Sequence, residues 1–561
     1  MPDVIALIPI DMERSRLGLL SLAARRLPAV AGLPGATALE HTLRRVAMVE
    51  QVQALVVMHP AGQNPLAGID ATIGGKRVHG FAIEGDSADP DRAMRIAARK
   101  WSLTAWRGGV GGMTCYDELL PADPLVAAMQ AHDAESALLV GGDWPLVDPQ
   151  LCQAALALHR EHAQAMQMTF TQAAPGLAGI AVGRALLETM AQKRGTFGHM
   201  LSYVPTHPQA DPIGRDVCVQ VAAEVRSCGR RLIYDTPRSA AMIDALAARL
   251  GHSFASADAG TIARAVMDMG AGCDAEPSPL PTQITLEITP RRAVTGPITA
   301  QHHVTFDRSD MPLDLATRIV EQVAQSPDTA LLIGGLGDPL LHAHWHDIVL
   351  RAHHAGVFTI GIETDLLCEE DDLRRLLDLP IDLVSVRLNA DTAATYRKVM
   401  GSDAFAQVAG NLEWLLNQRN RRSAGGSGVV GLPWLAPRLV KTADTLGDME
   451  TFFDRWLHYA GHAVIEPATT GSGLMPLLSP VNMTPPRRRS CRQIERRMTI
   501  HSDGRVALCD QDWLGRASLG DVRSESLADL WRKMEQPRDT HRQQQWDAMP
   551  VCAGCSEWHR P

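Results

Sequence analysis

Short apolar runs alternate with amphipathic stretches over roughly the first 270 residues of the chain. The runs VIALIPI (4–10) and SALLV (136–140) have the length of buried strands, and LEHTLRRVAMV (39–49) spaces its apolar positions at the period of a helix. Strands that alternate with helices in this way are typical of an α/β sheet that is covered by helices on both faces. The pattern therefore predicts a doubly wound α/β domain over residues 1–270.

A segment with three prolines, GAGCDAEPSPLPTQ, then interrupts the pattern and predicts an interdomain linker over residues 271–283. A second alternation follows, with ITLEIT, VFTIGI and DLVSVRLN separated by helical stretches. Repeated strand–helix units predict a full or partial parallel β/α barrel over residues 284–475, with its active face at the carboxyl ends of the strands. The remainder, residues 485–561, is rich in cysteine and predicts a small third domain.

The composition and net charge of the chain limit the kinds of partner and the cellular compartment that we expect. The chain has 561 residues, of which 45% are hydrophobic and 21% charged, so it is globular in composition and too long for one core. Its net charge is −9 and no long basic stretch stands out, so we expect no nucleic acid partner. We also expect no membrane partner and a cytoplasmic location, because no signal-like start and no bilayer-length apolar run are present.

Four of the ten cysteines are grouped near the end of the sequence: Cys491, Cys509, Cys552 and Cys555. In a reducing compartment such a group is more typical of a metal site than of disulfides. The pair Cys552 and Cys555 forms a C-x-x-C motif, which lets two thiolates on a tight turn reach one centre, while the other two supply further ligands. Four thiolates suit either zinc or an iron–sulfur cluster, and their number alone does not decide between the two.

This tail resembles a known family. The segments HSDGRVALCD, LGDVRSESLADLW and PVCAGC look like the SPASM or "twitch" extension of radical S-adenosylmethionine enzymes, which binds auxiliary [4Fe-4S] clusters. Full SPASM domains have more cysteines and two clusters, so the resemblance implies one [4Fe-4S] cluster on these four thiols. A structural zinc site is the alternative.

The predicted barrel resembles the catalytic domain of the same enzymes. GGLGDPLLH is similar to the segment that holds the methionine amino group of S-adenosylmethionine, and VSVRLNADTAATYRKVMG is similar to a later strand and helix. The resemblance makes Gly337, Asp338 and Pro339 candidates for binding S-adenosylmethionine or a related small molecule. The alternative is structural, with the glycines turning the end of a strand into a helix.

The three cysteines that define those enzymes are missing. At their positions in LEITPRRAVTGPIT stand Arg292, Gly296 and Thr299, none of which can replace a thiolate. Reductive cleavage of S-adenosylmethionine requires an iron with an open coordination position in a cluster held by three thiolates. We therefore expect no radical cleavage in this barrel, and we interpret His302 and His303 as surface or loop residues.

The first domain resembles sugar-nucleotide cytidylyltransferases, which implies a nucleotidyltransferase-like (GT-A-like) sheet. LLVGGDWPLVDP and LIYDTPRSAAMI correspond to two of their segments, each with an aspartate that helps to hold Mg²⁺. The resemblance makes Asp143 and Asp235 candidate Mg²⁺ ligands, and two carboxylates suit that ion.

The phosphate loop of that family is altered in IALIPIDMERSRLG. Ser15 and Arg16 fit its pattern and are candidates for nucleotide binding. Asp11 and Glu13 add negative charge to the loop, and Leu20 stands where a lysine is usual, which opposes triphosphate binding.

The complete arrangement resembles the "spiro-SPASM" group of fusion proteins. Two hypotheses follow from it. The first is a non-radical iron–sulfur protein, a pseudo-enzyme in its barrel, whose cluster serves electron transfer, sensing or structure and whose partner is a redox protein. The second is a Mg²⁺-dependent nucleotidyltransferase that binds a nucleotide or nucleotide sugar and uses the later domains for recognition.

Overall fold

In a computed structural model the chain divides into two compact units, Met1–Pro277 and Ser278–Pro561. The residues that the structure describes are 4–10, 27, 36–83, 113–162, 167–201, 217–269, 279–422 and 431–560. Each unit is α/β, so the predicted fold class is confirmed.

One sheet organises the first unit. Its strands are β1 (Val4–Pro9), β2 (Val52–Pro60), β3 (Thr72–Ile73), β4 (Lys76–Ile83), β5 (Ser136–Leu139), β6 (Met168–Thr171), β7 (Ile180–Gly183) and β8 (Cys218–Val219). They lie in the order β3-β4-β2-β1-β5-β7-β6-β8. The central strand β1 runs parallel to β2 and β5 and is buried at every residue, as expected for a strand that is covered on both faces.

Helices cover this sheet. They are α1 (Ala38–Ala47), α2 (Ala122–Ala131), α3 (Pro149–Glu161), α4 (Arg184–Lys193), α5 (Phe197–Met200), α6 (Ala223–Arg226), α7 (Pro237–Leu250) and α8 (Ala259–Met269). The helix α1 begins at a capping box, in which the Thr37 side chain accepts from the Glu40 N–H and the Glu40 carboxylate accepts from the Thr37 N–H. The apolar face of α1 packs into the core around β1.

The second unit contains six parallel strands that are adjacent in chain order. They are β9 (Gln283–Leu286), β10 (Ala330–Ile333), β11 (Thr359–Thr364), β12 (Leu383–Arg387), β13 (Trp434–Lys441) and β14 (Val464–Pro467). The predicted barrel is partial, because β14 pairs with β13 but not with β9 in the sheet order.

Helices alternate with these strands and continue beyond them. They are α9 (Ala300–His303), α10 (Leu313–Val323), α11 (Trp345–Ala355), α12 (Glu370–Asp378), α13 (Ala393–Met400), α14 (Phe405–Arg422), α15 (Met449–Ala460), α16 (Gln493–Arg496), α17 (Leu527–Lys533) and α18 (Glu535–Arg542). The helix α10 buries Leu315, Ile319 and Val323 along one face, which is the period that packs a helix onto a sheet. Among the helices in the described ranges, none is long and apolar enough to cross a membrane.

The cysteine-rich tail joins the sheet of the barrel. Its strands are β15 (Arg497–Ile500), β16 (Arg505–Ala507) and β17 (Gly520–Asp521). The strand β15 runs parallel to β9, and β16 and β17 add antiparallel strands at the same edge. The second unit begins inside the predicted linker, since Leu280 is buried in its core and β9 starts at Gln283.

Candidate functional site

Four cysteines of the second unit line one pocket: Cys491, Cys509, Cys552 and Cys555. These are the four thiols selected from the sequence, and the structure brings all of them together. They come from three separate segments, which lie before α16, after β16 and in a turn after α18. All four are free thiols, and the most buried is Cys552 with 6% of its surface exposed.

Tight turns bring these thiols to the pocket. Gly504 closes the β15–β16 hairpin with φ of 89°, a conformation that glycine adopts without strain, and the returning strand leads to Cys509. In the C-x-x-C motif the Cys555 N–H donates to the Cys552 carbonyl at 3.1 Å. The chain reverses there, so both thiols of the motif face the same space.

Burial makes these thiols poor acids when no cation is bound. It raises the pKa of Cys552 to about 12 and that of Cys491 to about 11. For Cys509 and Cys552 the next cause that raises the pKa is the charge of the neighbouring Cys491. A bound metal centre reverses this preference, because its positive charge stabilises the thiolates. Four sulfurs that line one pocket, one buried and three partly buried, therefore form a donor set that fits an iron–sulfur cluster.

Arg292, the first of the three residues compared with cluster cysteines in the sequence analysis, forms a buried ion pair in the barrel. Arg292 pairs through two of its nitrogens with Asp365, Nε lying 2.9 Å from Oδ2, and their side chains are 8% and 0% exposed. Arg387 lies close by, with Nη1 at 3.7 Å from the same carboxylate and Nη2 at 2.9 Å from the Gly337 carbonyl. Positive charge from the protein thus occupies the mouth of the barrel.

This network extends across the strand ends. Glu363 accepts from both Arg387 and Arg438, and Arg438 also pairs with Glu466. Three arginines therefore pair with three carboxylates at these strand ends, counting Arg292 with Asp365.

Gly296 and Thr299, the other two residues of that comparison, make contacts with the backbone. A Cβ at Gly296 would lie 2.2 Å from the Met400 carbonyl carbon and 2.5 Å from the Gly401 nitrogen, so the end of α13 leaves no room for a side chain. The Thr299 hydroxyl donates to the Gly296 carbonyl at 2.8 Å and is 1% exposed.

The residues of the loop GLGDP make structural contacts within their own unit. A Cβ at Gly337 would lie 1.8 Å from the Thr289 carbonyl oxygen, so only glycine permits this contact. Asp338 Oδ1 accepts from the Leu340 N–H at 3.1 Å, and Oδ2 accepts from Thr364 and from the Asp365 N–H at 2.8 Å. The carboxylate proposed to bind an ammonium group is thus surrounded by donors of its own unit. Pro339 follows as a buried residue.

His302 and His303 lie in the short helix α9 rather than in a loop, with His302 exposed and His303 partly buried. His302 Nδ1 lies 3.0 Å from the Thr295 carbonyl, and His303 Nε2 lies 2.8 Å from the Pro297 carbonyl. Each imidazole therefore bonds to backbone in the turn that precedes α9.

In the first unit, an arginine accompanies the two candidate Mg²⁺ ligands. Asp143 lines a pocket with Glu118, Trp144 and Arg231. Asp235 is bound by Arg231 through Nε and Nη2, at 3.0 and 2.6 Å, and Glu118 also accepts from Nη2 at 2.6 Å. The guanidinium and these carboxylates are at most 5% exposed.

Within the described ranges, no group of three or more His, Cys, Asp or Glu side chains is arranged to hold a single metal ion. Ser15 and Arg16 lie outside the described residues, as do Asp11, Glu13 and Leu20.

Three site residues were missed by the sequence analysis. Arg231 precedes Asp235 by four residues, but neither lies in a helix, so the spacing was not the ion-pair signal that it is on a helix. Arg387 lies inside the segment compared with the radical enzymes, but its partners come from other strands. His541, which lines the cysteine pocket, has no local motif.

The tail matches a described family. Residues 491–556 match the SPASM family, described as an iron–sulfur cluster-binding domain, and all four pocket cysteines fall within the match. The prediction of an iron–sulfur SPASM domain is confirmed at this level.

Two curated proteins are similar to parts of the chain. An uncharacterized protein of Treponema pallidum is 22% identical over 295 residues, which cover 50% of this chain and 79% of that protein. The tungsten-containing aldehyde ferredoxin oxidoreductase cofactor-modifying protein of Pyrococcus furiosus is 31% identical over 136 residues, or 24% of this chain and 38% of that protein.

Solved structures are similar to about half of the chain at a time. Streptococcus suis SuiB bound to its precursor peptide SuiA is 11% identical, with a TM-score of 0.38 over 49% of this chain and 70% of SuiB. A cytidylyltransferase from Leptospira borgpetersenii is 15% identical, with a TM-score of 0.30 over 50% of this chain and 99% of that enzyme. Similarity at this level does not identify an activity.

Proposed function

We propose that this chain is an electron-carrying iron–sulfur protein that binds one [4Fe-4S] cluster on the four pocket cysteines and performs no radical chemistry in its barrel. The observation that carries the proposal is the convergence of Cys491, Cys509 and the C-x-x-C pair, from three segments of the chain, on one pocket. The match of residues 491–556 to an iron–sulfur domain supports it.

Electron transfer is favoured because the protein supplies a thiol for each iron. A cluster with four thiolate ligands has no open iron for a substrate or for S-adenosylmethionine, and what it supplies is one-electron exchange. The partner of such a site is a redox protein that donates or accepts the electron.

The barrel acts as a scaffold in this proposal. The side chain of Arg292 pairs with Asp365, Gly296 has no room for a side chain, and Asp338 is surrounded by donors of its own unit. These contacts support the loss of both the radical cluster and S-adenosylmethionine binding.

For the first unit we do not adopt Mg²⁺-dependent nucleotidyl transfer. Arg231 already supplies positive charge to Asp235 and Glu118, beside the pocket that Asp143 lines. A divalent cation would have to compete with a guanidinium that is bound at short distance and shielded from water.

Metal analysis on anaerobically purified protein tests the proposal. We expect about four iron and four sulfide per chain, brown colour and no stoichiometric zinc. Cys552→Ser should lose most of the iron and the colour, whereas Cys228→Ser, at an equally buried cysteine of the first unit, should keep both. Zinc without sulfide in the wild-type protein would overturn the proposal.

A further inference from the structure

A buried histidine lies between two of the four cysteines. The ring of His541, on α18, is 1% exposed. Its Nδ1 accepts from the Cys491 N–H at 3.2 Å, and its Nε2 lies 3.4 Å from Cys552 Sγ. The imidazole thus touches the backbone of one predicted ligand and the sulfur of another.

These two contacts determine where the proton of the ring lies. Because the Cys491 amide can only donate, Nδ1 must be the acceptor and the proton of the neutral ring is on Nε2. The Nε2–H group therefore faces the sulfur of Cys552.

The surroundings hold the ring in this orientation. Trp546 packs against the imidazole with ring centroids 6.2 Å apart. The Arg488 guanidinium stacks on the Trp546 ring, 4.8 Å from its centroid. Arg488 also donates to the Cys552 carbonyl at 2.7 Å. Cys552 is therefore held at its carbonyl by Arg488 and contacted at its sulfur by His541.

We propose that His541 is a positioning residue that donates an N–H···S hydrogen bond to the Cys552 thiolate and thereby raises the reduction potential of the cluster. The inference rests on the proposed function, since it requires a cluster on the four thiols. The step concerned is the addition of one electron from an external one-electron donor, with no bond made or broken. The added electron increases the negative charge on the sulfurs, so a donor to sulfur stabilises the reduced form more than the oxidised form.

Redox titration with dithionite and mediators tests this on the full-length protein. In His541→Phe the ring volume is kept and the donor is lost, so the midpoint potential should shift to a more negative value at unchanged iron and sulfide content. In His541→Gln an amide donor is restored, and the potential should return toward that of the wild type. The control His41→Phe removes a histidine of the first unit that is also 1% exposed, and it should leave the potential unchanged.

Pulsed electron paramagnetic resonance on the reduced wild-type protein, labelled with ¹⁵N-histidine, tests the same contact without a substitution. We expect a weak coupling to one imidazole nitrogen, which is lost in His541→Gln. A strong coupling would identify an iron-bound imidazole, and no coupling would mean no hydrogen bond; either result overturns the inference. An unchanged potential in a His541→Phe variant with full iron and sulfide content would also overturn the inference. Absence of iron and sulfide in the wild type would overturn the proposed function instead.

Discussion

The side chain of Arg292 forms a two-nitrogen ion pair with the fully buried carboxylate of Asp365. Arg292 is the first of the three residues that the sequence analysis compared with cluster cysteines. The pair joins the segment after β9 to the end of β11, 73 positions further along the chain. A side-chain cation therefore ties together strand ends at the mouth of the barrel.

Removing this arginine should destabilise the second unit strongly. Arg292→Ala removes the two-nitrogen partner of the buried Asp365 and leaves the Arg387 guanidinium 3.7 Å away. We expect a loss of about 3 kcal/mol in the free energy of unfolding, typical of a broken buried pair. Arg374→Ala, which breaks an exposed pair with Glu370, should cost about 0.5 kcal/mol or less. Urea unfolding of the two variants gives the comparison, and equal losses would contradict the structural role of Arg292.

Introducing cysteines at positions 292, 296 and 299 should not give radical chemistry. In the variant Arg292→Cys, Gly296→Cys, Thr299→Cys, the second substitution forces a side chain into the backbone of α13. We expect lower stability, no additional iron per chain after anaerobic reconstitution, and no 5′-deoxyadenosine from S-adenosylmethionine under strong reductant. The double variant that keeps Gly296 is the control for the loss of Arg292. Formation of 5′-deoxyadenosine by the triple variant, or by the wild type, would refute the scaffold interpretation.

Asp338 should make stability depend on pH. Burial, followed by the charge of Asp365, raises the pKa of Asp338 to about 6 from an ordinary value of 3.8. Between these values the folded protein holds a proton that the unfolded chain has lost, so the contribution to stability is full below about pH 4 and decreases as the pH rises through about 6. At about 1.4 kcal/mol per pKa unit, the change amounts to about 3 kcal/mol.

Urea unfolding at several pH values measures this dependence. The decrease between pH 4 and 6 should be smaller in Asp338→Asn than in the wild type, whereas Asp371→Asn, at an exposed position, serves as the control. A wild-type profile that Asp338→Asn leaves unchanged would show that another group is responsible.

Replacing Arg231 should create a need for a cation in the first unit. Arg231→Met removes the guanidinium that is bound to Asp235 and Glu118, so we expect a loss of about 3 kcal/mol or more, typical of a broken buried ion pair. Divalent or trivalent cations should then restore part of the stability in the variant but not add to that of the wild type.

Terbium luminescence excited through Trp144, which lines the pocket, reports binding at this position. Arg264→Met, which removes an exposed pair with Glu224, is the control for loss of an arginine. Mg²⁺-dependent release of pyrophosphate from CTP by the wild type, abolished in Asp143→Asn, would contradict the interpretation that the Arg231 guanidinium takes the place of a metal cation.

Local patterns were sufficient to predict the class of both sheets and the cysteine group. The run VFTIGI corresponds to β11, which is buried throughout because its apolar residues are covered on both faces. The C-x-x-C spacing of Cys552 and Cys555 indicated a turn, and that turn is present. For both features, the residues that determine the local structure lie within a few positions of one another in the sequence.

Pairings between distant segments were not predictable from the sequence. Nothing near Arg292 indicates that its partner is Asp365, and the contact of Gly296 with Met400 depends on how α13 packs. His541 lies in a polar helix whose pattern gives no sign of a sulfur contact. Such contacts follow from tertiary packing, which residue spacing in one segment does not encode.

The parallel pairing of β15 with β9 has a consequence for biosynthesis. Thr282 and Arg496, which are joined by a hydrogen bond next to this pair, are 214 residues apart. During synthesis β9 can pair with β10 early. The other edge of β9, which pairs with β15, stays unpaired until the cysteine segment leaves the ribosome. Contacts this far apart in sequence form late, because the entropy of closing so long a loop must be overcome first. The sheet is thus completed only when the segment with the proposed cluster ligands has been synthesised. A chain that is truncated before β15 would leave the hydrogen-bonding edge of β9 unpaired and open to other chains.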